Sequence, residues 1–241
     1  MTKLMAAGVH FKTLNEQIRS SADEEIHIEQ CLGQRYIASG LGRGRIRIDG
    51  TPGNALGAYL DGSEISVYGN AQDATGDTMN KGRIFIHGSA GDATGYAMRG
   101  GRIYVDGDVG YRAGIHMKAY RHKVPVLVVG GRAGSFLGEY QAGGVIIVLG
   151  EGADGKPPVG NFCGTGMHGG RIYLRCDSAP VGLPAQVSVK QATKKDKEEI
   201  REYVCEFAAA FGRDADALLA GSFYVLSPNA KNPYKQLYTP N

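Results

Sequence analysis

The sequence lacks several features that would point to a particular class of protein. It contains no Trp, and its four Cys lie at positions 31, 163, 176 and 205, too far apart for a CxxC pair. This spacing provides neither a disulfide framework nor a compact iron–sulfur cluster motif, and it favours a reducing compartment. The net charge of +3 is too small to indicate nucleic-acid binding.

Long apolar runs are also missing. The N-terminus has no apolar stretch suited to a signal peptide, and no segment is long enough to span a membrane. We therefore expect a cytoplasmic protein with no membrane or nucleic-acid partner. One basic cluster, Lys118–Lys123, is predicted to be a solvated loop, with an anion or nucleic-acid contact as the alternative.

Glycine, in contrast, is abundant, with 37 of 241 residues, and it recurs at a fixed interval of 19 residues. One column contains Gly50, Gly69, Gly88 and Gly107, and a second contains Gly57, Gly76, Gly95 and Gly114. Three apolar columns share the interval: Ile46, Ile65, Ile84 and Ile103; Ile48, Val67, Ile86 and Val105; and Leu60, Met79, Met98 and Met117. Self-similarity at a fixed short interval indicates stacked structural repeats.

Each repeat contains an apolar–x–apolar–x–Gly segment, whose period of two is typical of a β-strand. The predicted strand cores are Ile46/Ile48/Gly50, Ile65/Val67/Gly69, Ile84/Ile86/Gly88, Ile103/Val105/Gly107, Val126/Val128/Gly130, Ile146/Val148/Gly150 and Ile172/Leu174. Repeats this short leave no room for two helices, so we predict an all-β solenoid over residues 26–180. The specific expectation is a right-handed parallel β-helix of about seven rungs. The eight column glycines would be structural residues, placed at corners with positive φ or close backbone contact.

The flanking segments have a different composition. Residues 1–25 form an N-terminal segment in which Thr13–Glu16 is a candidate capping box for a short helix. Residues 181–241 are predicted to form a helical cap over an open end of the solenoid, followed by an extended tail. Their predicted parts are a helix from Thr193 to Gly212, a short helix over Asp214–Ala220, an edge strand over Phe223–Leu226 and the tail Ser227–Asn241.

Motifs that carry catalysis or bind metals are not evident, and we predict no catalytic, cofactor-binding or metal-binding residues in this chain. The GxGxxG string Gly164–Gly169 precedes a strand instead of opening a helix, so we interpret it as a corner. His87 shares a repeat frame with Asp49 and Asp106, but the repeat spacing favours a structural row over a metal site. Cys163 is predicted to be buried packing.

Two further sets of polar residues have alternative interpretations. Asp61, Asp73 and Asp92 could form the carboxylate pairs of a glycosidase, but they lie in turns, where Asp is favoured for backbone reasons. The column before the strand cores contains Arg45, Glu64, Arg83, Arg102 and Arg171. We interpret it as a solvated face, with a docking face for another subunit as the alternative.

Three strings, Gly100–Val105, Gly143–Gly150 and Asn161–Tyr173, carry a family resemblance. They resemble the C-terminal GXGXG domain of the glutamate synthase large subunit, a right-handed β-helix; Thr165-Gly166 before Met167 is a small departure from the family pattern. One of the subunits of formylmethanofuran dehydrogenase is in the same repeat family. The segment from Thr193 onward looks like that of stand-alone prokaryotic subunits.

The resemblance implies a non-catalytic structural subunit. It would hold an amidotransferase and an FMN- and iron–sulfur-containing synthase together for glutamate synthesis from glutamine and 2-oxoglutarate, with those cofactors on the partner subunits. Self-association stays open. The alternatives are a component like the repeat-containing subunit of formylmethanofuran dehydrogenase and a carbohydrate-binding or carbohydrate-active β-helix that uses Phe85, Tyr104 and Tyr173.

Overall fold

The computed structural model describes residues 1–229, so residues 230–241, which include most of the predicted tail, lie outside the described residues. Eleven strands and three helices are formed: β1 (Thr2–Met5), α1 (Phe11–Ser20), β2 (Glu25–Leu32), β3 (Arg45–Thr51), β4 (Asp61–Tyr68), β5 (Lys81–Ile86), β6 (Arg102–Val105), β7 (Val126–Val129), β8 (Ala142–Val148), β9 (Gly169–Arg175), β10 (Val187–Gln191), α2 (Lys194–Phe211), α3 (Ala215–Ala220) and β11 (Phe223–Pro228). No helix within residues 1–229 combines the length and apolar character needed to cross a bilayer.

The 19-residue interval places equivalent residues side by side on neighbouring parallel strands. Ile65 pairs in register with Ile46 on one side and Ile84 on the other. Because side chains alternate along a strand, this register directs every isoleucine of the column to the same face. These side chains form the core, together with the apolar residues of the segments that follow each strand.

The predicted all-β solenoid, a right-handed parallel β-helix, is wrong. The described strands form a single 11-stranded sheet in the order β1 to β9, β11, β10, whereas a β-helix needs several sheets around its core. Pairing is parallel from β1 to β9 and antiparallel for β11 with both β9 and β10. Strands from all three predicted segments join this sheet, so the division at residues 26 and 180 stays a prediction.

The segments between the strands explain why no second sheet forms among the described residues. From the β2–β3 segment to the β8–β9 segment, each contains a turn with left-handed residues at alternate positions, as at Ala74 (φ 56°), Gly76 (φ 70°) and Thr78 (φ 52°). Left-handed residues interrupt an extended strand. The turns stack instead: the Gly76 N–H donates to Leu56 O at 2.8 Å, and the Ala74 N–H donates to Asp92 O at 2.8 Å. Isolated parallel bridges, such as Ala71 with Ala90, accompany them.

The predicted core of β7, Val126/Val128/Gly130, is wrong by one residue. Leu127 pairs with Ile103 and Ile146 and thus occupies the inward column. All four residues of β7 are buried, because Val126 and Val128 contact the second core cluster on the outer face. Without a polar face, the alternation that reveals register is lost.

Helix α2 has the predicted limits but not the predicted position. Thr193 caps its start in a capping box with Asp196, and Gly212 (φ 68°) ends it. Its apolar residues pack on the outer face of the sheet, not over an open end, in the second cluster with Tyr104 and Ile147.

Three smaller elements also differ from expectation. The predicted strand Phe223–Leu226 is present as part of β11, but it is not at the edge, because β10 pairs with its other side. Ser227 and Pro228, assigned to the tail, belong to β11. Helix α1 begins at Phe11 with His10 as its N-cap, so Thr13–Glu16 lies inside the helix and does not cap it.

Candidate functional site

At seven of the eight column glycines, an added Cβ would come within 3.0 Å of a neighbouring strand or turn; at Gly95 the nearest atom belongs to Met98 of the same turn, at 3.1 Å. At Gly69, an added Cβ would meet the carbonyl oxygen of Gly50, and at Gly107 it would lie 2.5 Å from Ser89 Oγ. The second column is left-handed throughout, with φ values of 62° at Gly57, 70° at Gly76, 75° at Gly95 and 68° at Gly114. In the first column only Gly50 and Gly69 have positive φ; Gly88 and Gly107 do not. Positive φ and close approach therefore coincide at most of these glycines, whereas at Gly88 and Gly107 close approach acts alone.

The predicted turn carboxylates connect one repeat to the next. Asp73 Oδ1 accepts the Asp92 N–H at 2.9 Å, and Asp92 Oδ1 accepts the Tyr111 N–H at 2.8 Å. Asp61 lies apart from both, 3.9 Å from Lys123 Nζ. Because these carboxylates satisfy backbone donors instead of converging on a cleft, the arrangement supplies no acid–base pair for glycosidic chemistry.

Asp49 and Asp106, the two carboxylates that share a repeat frame with His87, each pair with a different residue. Asp49 pairs with His27 at 2.6 Å, and Asp106 pairs with Arg213 at 2.8 Å. His87 stacks on Tyr68 with ring centroids 4.3 Å apart, and burial lowers its pKa. Within residues 1–229, no three His, Cys, Asp or Glu side chains are grouped so that they could hold a metal ion.

Three arginines of the arginine column, Arg83, Arg102 and Arg171, form the docking face of the chain's own helix α2, whereas Arg45 pairs with Glu25 of β2. Arg102 pairs with Glu202 and Glu206, each at 2.6 Å, and Arg83 also pairs with Glu206 at 2.6 Å. Farther along the sheet, Arg171 pairs with Glu199. Sequence reasoning assigned this column to solvent or to another subunit and missed the intramolecular pairing. The signal was the spacing of glutamates along the helix, three and four residues apart, which places them on one side.

Glu206 is the centre of this contact. Burial raises its pKa, but hydrogen bonds from Tyr104 and Arg102, with the charges of Arg102 and Arg83, outweigh burial, and the pKa is lowered. Burial, and then the hydrogen bond to Glu206, raises the pKa of the Tyr104 hydroxyl. The Phe85 and Tyr104 rings stack at 5.1 Å, beneath the helix. These rings, predicted as a sugar-stacking platform, are therefore covered.

Two open clefts on the described surface adjoin the arginine column. The larger, about 610 Å³, lies at the beginnings of β3–β6 and is lined by charged residues and glycine backbone; the charged residues are Glu24, Arg45, Glu64, Lys81, Arg83 and Arg102. The smaller, about 240 Å³, lies over β2–β4 beside His27, Ser66 and Tyr68. In both clefts, arginine–glutamate pairs neutralise much of the charge.

The remaining candidates have structural surroundings. The string Gly164–Gly169 begins with a left-handed turn and leads into β9, not into a helix, and its first N–H donates to Leu137 O at 2.8 Å. Cys163 is buried, and burial raises the pKa of its thiol to about 12. A thiol with so high a pKa is a poor nucleophile at neutral pH.

Comparison with known proteins adds a family and a fold. The model of the GXGXG motif family matches residues 17–228. The uncharacterized protein MJ1350 of Methanocaldococcus jannaschii is 45% identical over 249 residues, covering 98% of this chain and 95% of that protein. A chain of the formyltransferase/hydrolase complex (FhcABCD) from Methylorubrum extorquens, solved in complex with methylofuran, superimposes with a TM-score of 0.66. At 20% identity, over 88% of this chain and 76% of that chain, it shows similarity of fold alone.

Proposed function

Because the chain belongs to the GXGXG family, we propose that it is a non-catalytic structural subunit of a multi-subunit enzyme. The complex proposed first is a split glutamate synthase, in which this chain holds the amidotransferase and the FMN- and iron–sulfur-containing synthase subunits together. In that arrangement ammonia released from glutamine is combined with 2-oxoglutarate on the partner subunits. This chain supplies surface and spacing, and none of its residues takes part in the chemistry.

The observation that carries the proposal is the use of carboxylate side chains to join neighbouring repeats and to hold helix α2 on the sheet. Asp73, Asp92 and Asp108 each accept a backbone N–H from the next repeat. Glu199, Glu202 and Glu206 pair with arginines of the sheet. Carboxylates are side chains that many enzymes use for catalysis. In this chain they stabilise the fold instead, as expected of a scaffold.

A second candidate is a component like the repeat-containing subunit of formylmethanofuran dehydrogenase. A specific observation favours it: the solved structure with similar fold belongs to a formyltransferase/hydrolase complex. The two candidates share the architecture and differ in their partners.

Purification of the tagged full-length protein from its native cells tests both. The first candidate predicts co-purification of an amidotransferase and an FMN-containing synthase, and glutamate formation from glutamine and 2-oxoglutarate by the purified complex. Recovery of a formylmethanofuran-oxidising complex would replace the first candidate with the second. A monomer that stays alone at native expression levels would contradict both.

A further inference from the structure

The basic cluster at residues 118–123 lies beside aromatic side chains at the stacked turns. We define the basic ridge as Tyr96, Arg99, His116, Lys118, Tyr120 and Arg121. The backbone brings these parts together: the Lys118 N–H donates to Met98 O at 3.0 Å, next to Arg99. Tyr120 and Lys123 exchange two backbone hydrogen bonds of 3.0 Å, which close the loop on itself. The cluster is therefore a defined turn placed against the preceding repeat.

The aromatic rings of the ridge are arranged across consecutive repeats. Tyr96 meets His116 edge-on at 5.9 Å, and His116 stacks on Tyr140 at 5.2 Å with an interplanar angle of 10°. Tyr96 is 38% exposed and Tyr120 is 50% exposed. Exposed aromatic rings held in fixed orientations are characteristic of interaction surfaces, because they add contact area at little cost in entropy.

The cations of the ridge are not neutralised by the rest of the described chain. Arg99 donates to the carbonyl oxygens of Ala97 and His116, at 3.0 and 3.1 Å, and Arg121 lies over the Tyr120 ring at 5.2 Å. Among residues 1–229, no carboxylate forms an ion pair with Arg99, Lys118 or Arg121. This contrasts with the arginine column, where every arginine has a glutamate partner.

We propose that the basic ridge is a docking surface for an acidic segment of a partner subunit, in which carboxylates alternate with aromatic or proline residues. The carboxylates would pair with Lys118, Arg121 and Arg99, and the apolar residues would lie on Tyr96 and Tyr120. Three cations are too few for strong binding to a phosphate backbone, which favours a protein partner over a nucleic acid. The proposal rests on the proposed function for the existence of partner subunits and names the surface that one of them uses.

The test combines charge reversal with a defined probe. The full-length protein and its double variant Lys118→Glu/Arg121→Glu are titrated with a fluorescent random copolymer of glutamate and tyrosine, and with an oligothymidylate of equal charge. Both substituted side chains are exposed, so folding should be unaffected. Lys81→Glu/Lys156→Glu is the matched control, because it makes the same change in net charge. Both lysines are exposed and have no ion pair among the described residues, but Lys81 lies on β5 at the larger cleft and Lys156 in the loop before β9.

We expect the wild-type protein to bind the copolymer, the double variant to bind at least about tenfold more weakly, and the control to stay within about twofold of wild type. Equal loss in the control, no binding by wild type, or tighter binding of oligothymidylate would overturn the proposal. Self-association that the double variant abolishes would also overturn it, because the occupant would then be a second copy.

Native purification separates this proposal from the proposed function. If wild type recovers partner subunits and the double variant does not, both hold. If both proteins recover them equally, the proposed function holds and the ridge assignment fails. If wild type recovers none, the proposed function fails, while the copolymer titration still decides the chemistry of the ridge.

Discussion

The outer face of the sheet consists of two regions with the same backbone and different surroundings. One register row crosses it from β2 to β9: His27, Arg47, Ser66, Phe85, Tyr104, Val128, Ile147 and Tyr173. The first three residues are polar and α2 leaves them uncovered, whereas those from Tyr104 onward are buried beneath it. Strand pairing continues unchanged across the boundary. The residues of the inner face therefore determine the strand register, whereas those of the outer face determine only which elements pack on that face.

The largest expected difference between the two regions comes from the covered half. Phe207 of α2 is fully buried, in the cluster with Tyr104 and Val128. Phe207→Ala should lower the free energy of unfolding by about 3–5 kcal/mol, because it removes a buried ring and leaves a cavity. Urea unfolding measures this loss. Tyr68→Ala on the uncovered half, where the ring is 44% exposed, should cost less than about 1.5 kcal/mol; comparable losses would mean that the two halves do not differ.

The inner side should be sensitive to added volume at its closely packed glycines, whereas an open loop should tolerate it. Gly76→Ala introduces a Cβ at φ 70° that meets the Ile103 side chain, and should cost about 2–4 kcal/mol. Gly152→Ala has the same left-handed strain, at φ 75°, but nothing within 4 Å, and should cost only about 1 kcal/mol. Thermal and urea unfolding of both variants are compared, and the difference between their losses of free energy of unfolding gives the contribution of packing. Equal midpoints would show that strain alone accounts for the glycine column.

The electrostatic contact of the covered half should depend on pH. The pKa of Glu206 is lowered in the folded protein, so its contribution to stability is present above the pKa of the unfolded chain and is lost as pH falls through the folded pKa. Glu206→Gln should cost about 1–3 kcal/mol at pH 7 and progressively less on acidification. The comparison requires unfolding curves at pH 7, 5, 4 and 3. A difference that stays constant with pH would contradict the assignment.

The smallest effect is expected at the salt bridge of the uncovered half. Arg45 and Glu25 pair at 2.6 Å, but their side chains are 69% and 51% exposed. Arg45→Gln should change the free energy of unfolding by less than about 0.5 kcal/mol, because water and salt screen exposed pairs. Chemical denaturation at low and high salt provides the measurement. A loss near that of Glu206→Gln would mean that the arginine column acts as one unit along its whole length.

The sequence predicts which residues pair across neighbouring strands better than it predicts how many sheets the strands form. The isoleucine column specifies which residues pair, and the caps at Thr193 and Gly212 specify α2. The way in which the chain encloses the core depends on the turns, and the residue types in the turns do not reveal their backbone conformation. Ala74 and Thr78 are left-handed although neither is glycine. Their conformation is imposed by hydrogen bonds to neighbouring turns, a collective property that no single residue type reveals.

The candidate surfaces also depend on contacts between distant parts of the chain. The basic cluster at residues 118–123 is visible in the sequence, but its placement beside Tyr96 and Arg99 requires the stacking of two repeats. The pairing of Glu206 with Arg83 and Arg102 joins residues more than 100 positions apart. Spacing within one element shows which side chains share a face, but it does not show which distant element that face meets.

The stacked turns also make this molecule adjustable in length. Gly57, Gly76 and Gly95 occupy equivalent positions and donate their N–H groups to equivalent carbonyls of the preceding turn, all at 2.8 Å. Adding or deleting one 19-residue repeat would therefore leave these turn hydrogen bonds with equivalent partners. It would change the distance between the two ends of the sheet by about 4.8 Å. Evolution can thus set the separation of the two ends of the sheet in fixed increments, without redesigning either end.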